Sequence, residues 1–153
     1  MKKASLVIQN IQNNEYNDLL EDIYVDGSLI EIQKERYVKA IEKFISLYGD
    51  QEVEIYSTPG RSEVCGNHTD HQHGEVLAAA INLDIIAVVS PQEDCIKILS
   101  DDYDLKAIDI TDLDKKDNEI GTSEGLIRGV LQRYKELGYH IGGFNGYMTS
   151  DVL

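Results

Sequence analysis

Residues 58–74 read TPGRSEVCGNHTDHQHG, and no other stretch of this chain contains as many candidate binding or catalytic residues. One arginine, three histidines, one aspartate and three glycines fall within these seventeen positions. Just before them, polar and apolar residues alternate over 52–57, which predicts a strand with one buried face. Pro59-Gly60 is predicted to end that strand, so that Arg61 lies at a turn and its side chain leaves the end of the sheet.

The spacing of the polar residues in this stretch suits a ligand that carries hydroxyl groups. His68 and Asp70 lie two positions apart, so both side chains would face the same side of an extended segment. Gly66 and Gly74 would let the backbone approach a ligand closely. Imidazole and carboxylate groups bond sugar hydroxyls in fixed directions, and a partner left unpaired costs about 1 to 3 kcal/mol.

Two other interpretations stay open on these residues alone. Pro-Gly followed by polar residues is a frequent loop pattern, in which His-Thr-Asp would form a local side-chain-to-backbone turn. A metal-binding module is the second, because His68, His71 and His73 lie close to Asp70 and Cys65 in the sequence. Zinc ligands usually come from two separated pairs on a rigid scaffold, so this alternative is weaker and no metal site is predicted.

Two helices are predicted ahead of the strand, over residues 14–23 and 31–48, because apolar residues recur there every three or four positions. Asp26-Gly27 is a turn signal between them, and Gly49 supplies the stop of the second helix. Beyond residue 74, runs rich in β-branched residues predict three strands and then a short fourth one. Their ranges are 76–81, 84–90, 95–99 and 105–110.

A long helix and a last strand complete the pattern. Thr122 or Ser123 is predicted to cap the helix, and a last strand is predicted over 141–153. This order of helices, strands, one long helix and a strand predicts an α+β fold with a mixed or antiparallel sheet. The apolar stripe of the long helix consists of Leu126, Ile127, Val130, Leu131, Tyr134 and Leu137, and Gly138 follows as its stop.

Composition narrows the classes of partner. The net charge of −14, without a long lysine and arginine run, disfavours nucleic acid, whereas ATP needs only a local site of amides and cations. Cys65 and Cys95 are too few and too far apart for a disulfide framework, which favours a reducing cytoplasm. No apolar stretch has the length of a signal peptide core or a membrane span, so no membrane partner is predicted.

The run from Pro59-Gly60-Arg61 through Gly66-Asn67-His68-Thr69-Asp70 to Gly74 resembles the first motif of galactokinases. These enzymes form a small-molecule kinase superfamily with homoserine, mevalonate and phosphomevalonate kinases. The flanks at 76–81 and 125–130 agree, and the resemblance extends from about Arg36 to Leu153. It implies the N-terminal domain of galactokinase-type kinases, which is similar to domain 2 of ribosomal protein S5: a mixed sheet packed with helices and preceded by two helices.

The resemblance also implies a division of the chain and a set of roles. It implies a helical extension at 1–50 and an incomplete kinase domain at 51–153, with the C-terminal domain absent. Galactokinases phosphorylate galactose at its anomeric hydroxyl with ATP and Mg²⁺, so these are the implied substrate and cofactors. The implied catalytic residue is Arg61, the implied substrate-binding residues are Asn67, His68 and Asp70, and Gly66 and His71 belong to the substrate loop.

Three positions depart from the usual galactokinase pattern. Asn67 stands where these enzymes usually have Glu, Glu63 where they usually have Asn, and His71 where they usually have Tyr. Asn keeps one acceptor but loses the charge that strengthens a hydrogen bond to a sugar hydroxyl. The preferred sugar therefore stays open, and a non-catalytic sugar sensor on the same fold is the main alternative function.

The resemblance implies further parts beyond the last strand. In galactokinases, a loop rich in glycine and serine follows such a strand and cradles the ATP phosphates, and the catalytic Asp lies further on. The chain ends at residues 151–153, where that loop is expected to begin. The 153 residues alone are therefore expected to transfer no phosphate, and their uncovered apolar surface and strand edge would favour self-association.

Overall fold

The computed structural model describes residues 1–66 and 73–152. Within these ranges the chain forms four α-helices and seven β-strands. The helices are α1 (Ala4–Gln12), α2 (Asn17–Tyr24), α3 (Ile30–Tyr48) and α4 (Ser123–Glu136). The strands are β1 (Lys2–Lys3), β2 (Glu52–Cys65), β3 (Leu77–Gln92), β4 (Cys95–Ser100), β5 (Tyr103–Asp104), β6 (Ile108–Asp109) and β7 (Gly143–Ser150).

The strands form one mixed sheet in the order β1-β2-β3-β7-β4-β5, and β6 pairs with β4. Every neighbouring pair is antiparallel except β4 and β7, which run parallel. The predicted α+β class with a mixed sheet and helices is therefore confirmed. None of the helices in the described ranges has the length and apolar character needed to cross a bilayer.

The helices ahead of the motif are more numerous than predicted. The two predicted helices correspond to α2 and α3, and Gly49 ends α3 with a positive φ of 83°, as expected of a glycine stop. Helix α1 was not predicted because its apolar residues occupy only a short run. Its buried residues Ala4, Val7 and Ile11 nevertheless follow helical spacing.

The prediction that Pro59-Gly60 ends the first long strand is wrong, because β2 continues through them to Cys65. Proline has no backbone N–H and is tolerated where that group would point away from a partner strand. In the described part of the chain, β1 pairs with β2 only at Glu52 and Val53, so the rest of that side of β2 is an edge. The edge position explains why Pro59 does not interrupt the strand.

The predicted separate strands at 76–81 and 84–90 are one strand, β3. The polar break between them is a bulge within the β2–β3 pair. Pro59 lies opposite Asp84 and Arg61 lies opposite Ala80, so Gly60 alone faces residues 81–83. A bulge bends the two strands but keeps them paired. The polar residue in the sequence therefore marks a bend within one strand and not the end of a strand.

Two apolar clusters pack against the sheet. The first joins α1, α2 and α3 to β2 and β3, and it includes Phe44, Ile41, Val53, Ile86 and Val88. The second is formed by Ile96, Ile98, Ile108, Ile110 and Leu113, with Ile127 and Leu131 of α4 packed against it. Helices α1 to α3 thus share a core with the strands. The predicted boundary between residues 50 and 51 stays a prediction.

Helix α4 is capped as predicted, but its apolar stripe is only partly buried. The Thr122 hydroxyl accepts a hydrogen bond from the Gly125 N–H at 3.1 Å. Ile127 and Leu131 pack on the second cluster, whereas Leu126 is 71% exposed. The side chains of Val130, Tyr134 and Leu137 are exposed as well. The side of α4 opposite the sheet therefore presents apolar residues to solvent.

Candidate functional site

The β2–β3 hairpin extends beyond the bulge as an exposed arm, which we define as residues 61–66 and 73–80. Its two strands pair from Arg61 with Ala80 to Cys65 with Leu77. The arm carries the described part of the motif identified in the sequence. Because β2 and β3 continue directly from the core, the sheet sets the direction in which the arm leaves the protein.

Arg61 is the predicted catalytic residue, and the structure places it inside β2 at the first pair beyond the bulge. The expected turn position is therefore wrong. Its cross-strand neighbour is Ala80, and Glu63, two residues along the same strand, lies opposite Ala78. Cross-strand partners share a face of a sheet, so small methyl groups flank both charged side chains. Arg61 itself is exposed to solvent.

The predicted substrate-binding residues Asn67, His68 and Asp70 and the predicted loop residue His71 lie outside the described residues. Their roles stay predictions. The other predicted loop residue, Gly66, is described and directly follows the first strand of the arm. His73 has a positive φ of 60° in a turn. In ranges 1–66 and 73–152, no group of three or more His, Cys, Asp or Glu side chains could hold a metal ion.

Gly66 occupies a position that a side chain could not share. Its φ is +131°, and a methyl group at this site would lie 2.5 Å from Val76 Cγ1 and 2.7 Å from Val76 Cα. Both the backbone conformation and the contact with Val76 therefore require glycine. The close approach of Gly66 to Val76 draws the two strands of the arm together at its tip.

Gly66→Ala should disturb the arm while leaving the core folded. The added methyl group forces the two strands apart at Val76, so amide hydrogens of 73–80 should exchange about tenfold faster. Hydrogen–deuterium exchange read by mass spectrometry measures this. Gly138→Ala is the matched control, because Gly138 also has a positive φ but no atom lies within 4 Å of the added methyl group. Equal exchange of the arm in both variants would contradict the assigned role of Gly66.

A buried polar network lies under the bulge at the base of the arm, and its centre is Asp84 of β3. The Asp84 side chain is 3% exposed and forms an ion pair with Arg36 of α3. Its Oδ2 accepts hydrogen bonds from the hydroxyls of Tyr24, at 2.8 Å, and Ser57. Both carboxylate oxygens are thus bonded, as a buried charge requires. The network joins two helices to the two strands that carry the arm.

The two tyrosines of the network remain neutral at physiological pH. Burial raises the pKa of Tyr24, and hydrogen bonds to Tyr37 and Asp84 raise it further. Burial also raises the pKa of Tyr37, whose hydroxyl lies 3.2 Å from that of Tyr24. The neutral Tyr24 phenol supplies one of the O–H donors that the Asp84 carboxylate needs. This network is not predicted from the sequence, although Asp84 is a visible signal as an acidic residue beside an apolar run.

The segment that follows β7 contacts the same bulge. The Asp151 N–H donates to the Asp84 carbonyl at 3.1 Å, and Arg36 Nε lies 3.1 Å from Asp151 Oδ2 as an ion pair. A methyl group at Gly60 would lie 3.0 Å from Val152 Cγ2, so Val152 packs directly on the bulge. The end of β7 and the base of the arm are therefore held side by side.

A cleft of about 380 Å³ lies between α1, α2 and β2, away from the arm. Its walls are largely apolar and include Ile11, Leu19, Leu20 and Ile23. Apolar walls offer few directional partners for sugar hydroxyls. The polar residues that also line this cleft are Lys2, Tyr16, Tyr37, Glu54 and Ser57. On chemical grounds, the arm is the better candidate site for a hydroxylated ligand.

Comparison with known proteins identifies a family of relatives. The family described as "Galactokinase galactose-binding signature" matches residues 42–91, which include both strands of the arm and residues 67–72 between them. The galactokinase of Lactococcus lactis subsp. lactis (strain IL1403) is 31% identical over 117 residues, which are 72% of this chain and 29% of that enzyme. The galactokinase of Streptomyces coelicolor is 29% identical over 112 residues, with the same coverage.

A solved structure shows the same similarity in three dimensions. The crystal structure of Lactococcus lactis galactokinase complexed with galactose superposes with a TM-score of 0.62 at 28% sequence identity. The alignment covers 73% of this chain and 30% of that protein. The chain thus spans about 30% of the length of these relatives.

Proposed function

The chain is related to the galactokinases through their N-terminal region, and we propose that the arm and residues 67–72 between its strands bind galactose or a closely related sugar. The observation that carries the proposal is the match of residues 42–91 to a galactose-binding signature. These residues include the exposed arm with Arg61. The galactose complex of a structural relative supports the same ligand class.

The proposed roles follow from the chemistry of each side chain. His68 and Asp70 orient the sugar through directional hydrogen bonds, and Asn67 contributes one more acceptor. Gly66 and His71 belong to the loop that shapes the site. Arg61 stabilises negative charge on the phosphoryl group during its transfer. Its exposed place beside Ala80 leaves the guanidinium accessible to a phosphorylated ligand.

The proposed reaction of a longer protein containing this region is ATP-dependent phosphorylation of galactose at its anomeric hydroxyl. ATP supplies the phosphoryl group, and Mg²⁺ neutralises charge on the phosphates. Mg²⁺ in such sites is held by one or two carboxylates together with the phosphates, and we assign no Mg²⁺ ligand among residues 1–66 and 73–152. The 153-residue chain is expected to bind sugar without turnover. ATP and a free Cys65 thiol both suit the proposed cytoplasmic location.

Two variants separate sugar binding from phosphoryl transfer. Asp70→Ala should weaken galactose binding about tenfold or more, because it removes a charged acceptor from the sugar site. Arg61→Ala should leave that affinity within about threefold but lower the turnover of a galactokinase-length protein about a hundredfold. Calorimetric titration of the 153-residue chain measures the first effect, and a galactose phosphorylation assay measures the second.

Glucose serves as the matched ligand control in that titration, since it differs from galactose in the orientation of one hydroxyl. Unchanged affinity in Asp70→Ala would exclude the proposed sugar site. Phosphorylation by the 153 residues alone would contradict the expected division between sugar binding and phosphoryl transfer. Zn²⁺ uptake with proton release would instead support the metal-binding alternative through His68, His71 and His73.

A sugar sensor remains the second candidate function, and Asn67 is the observation that favours it. Replacement of the usual acidic residue weakens a charged contact to the sugar. A sensor would bind galactose in a galactokinase-length protein without producing galactose phosphate. The same titration and phosphorylation assay therefore distinguish the two functions.

A further inference from the structure

An arginine at the base of the arm contacts three separate parts of the chain. Arg36 Nη1 pairs with the Asp84 carboxylate, and Nη2 donates to the Asp84 carbonyl at 2.8 Å. Nη2 also lies 3.4 Å from the Thr149 carbonyl of β7. The guanidinium Nε lies 3.1 Å from Asp151 Oδ2 as an ion pair, without the geometry of a hydrogen bond. One planar group thus joins α3 to β3, to β7 and to the segment after β7.

These contacts lie at the point where the arm leaves the sheet. Asp84 is opposite Pro59 in the last pair before the bulge, and Arg61 belongs to the first pair after it. A bulge bends the strand that carries it, so the angle of the arm depends on how its base is held. Arg36 fixes that base through both the side chain and the carbonyl of Asp84.

The same arginine places the chain after β7 against the bulge. Asp151 is held by Arg36 and by the Asp84 carbonyl, and Val152 then packs on Gly60, the residue immediately before Arg61. Residues 150–152 therefore lie beside the arm at its origin. The contacts of Arg36, Asp84 and Gly60 with residues 151 and 152 therefore determine how far residues 150–152 lie from Arg61.

We propose that Arg36 is a positioning residue for the sugar site: it fixes the arm, and Arg61 with it, relative to the end of β7. This inference rests on the proposed function, because it assigns Arg36 a role in galactose binding by the arm. Geometry explains why an arginine is present. Its planar fork reaches several acceptors at once, which the single ammonium group of lysine cannot do.

The test compares Arg36→Lys with Arg128→Lys in the 153-residue chain. Arg128 is the matched control because it is also buried and paired with one carboxylate, Glu119, at 2.7 and 3.0 Å, but it belongs to α4 and the second cluster. Hydrogen–deuterium exchange of residues 61–66 and 73–80 reports on the placement of the arm. Calorimetric titration with galactose reports on the consequence for binding.

In Arg36→Lys, amide hydrogens of the arm should exchange about tenfold faster than in the unmodified chain. Galactose affinity should fall about tenfold, because the proposed binding residues Asn67, His68 and Asp70 lie between the two strands of the arm in the sequence, and a small misplacement of a binding group is costly. Arg128→Lys should change neither quantity. Unchanged exchange in Arg36→Lys would overturn the proposal, because the arm would then not depend on Arg36. An equal increase in both variants would also overturn it, because the whole protein would then have become less stable.

The two readouts separate this proposal from the proposed function. If the unmodified chain binds no galactose, the proposed function fails, and exchange in the arm still decides whether Arg36 positions it. If Arg36→Lys does not fold, Asp151→Asn replaces it as the test. Asp151 is 43% exposed, so its substitution removes the ion pair with Arg36 while leaving the core intact. A rise in arm exchange of about threefold supports the proposal, and no rise refutes it.

Discussion

Asp84→Ala should lower the free energy of unfolding by about 4 kcal/mol, because it leaves the guanidinium of Arg36 buried without its carboxylate. The hydroxyls of Tyr24 and Ser57 lose their acceptor at the same time. A domain of this size is stable by only about 5 to 15 kcal/mol, so the loss is a large fraction of the total. Urea denaturation followed by circular dichroism measures it.

The control for this prediction is Asp102→Ala, which removes an exposed acidic side chain from the turn after β4. Its effect should stay within about 0.5 kcal/mol. The double variant Asp84→Leu/Arg36→Met should be more stable than Asp84→Ala, since neither charge then remains buried alone. If the double variant were the less stable one, the unpaired charge would not be the cause of the loss.

Gly143→Ala should destabilise the chain by about 3 kcal/mol or more, because the space beside Gly143 is filled by backbone. A methyl group there would lie 2.2 Å from the Cys95 carbonyl oxygen and 2.8 Å from the Cys95 nitrogen. Gly143 opens β7, and β7 lies between β3 and β4. Backbone on both sides cannot yield as a flexible side chain would. The midpoint of urea denaturation reports the effect.

Gly142→Ala is the matched control, one residue earlier in the chain. No atom lies within 4 Å of a methyl group added at Gly142, so the change should cost less than about 0.5 kcal/mol. Similar midpoints for the two variants would mean that β7 and Cys95 are not in the close contact described above.

The sequence predicted those elements whose signals are local. Helices α2, α3 and α4 have apolar residues at helical spacing, and Thr122 and Gly49 mark ends that the structure confirms. The candidate site could be located in the sequence for the same reason, because the motif is a local signal. Its residues are consecutive in the sequence, and the family resemblance depends on their order.

Features that depend on pairing between distant residues escaped prediction. Pro59 looked like a strand end because the sequence does not show that this side of β2 is an edge. Asn82 looked like the end of a strand because the sequence of β3 does not show that it lies at a bulge opposite Gly60. Likewise, Arg36 and Asp84 are separated by 48 residues, and only the packing of α3 on β3 brings them together.

The position of β7 in the sheet determines when the fold can be completed during synthesis. Strands β3 and β4 are nearly consecutive in the chain, yet they do not pair, because β7 lies between them. The β2–β3 hairpin is local and can form as soon as it leaves the ribosome, whereas β3 keeps an open edge until residues 143–150 have been made. Nascent chains are therefore most exposed to edge-to-edge association during that interval, and a chaperone that shields β3 would be most useful then.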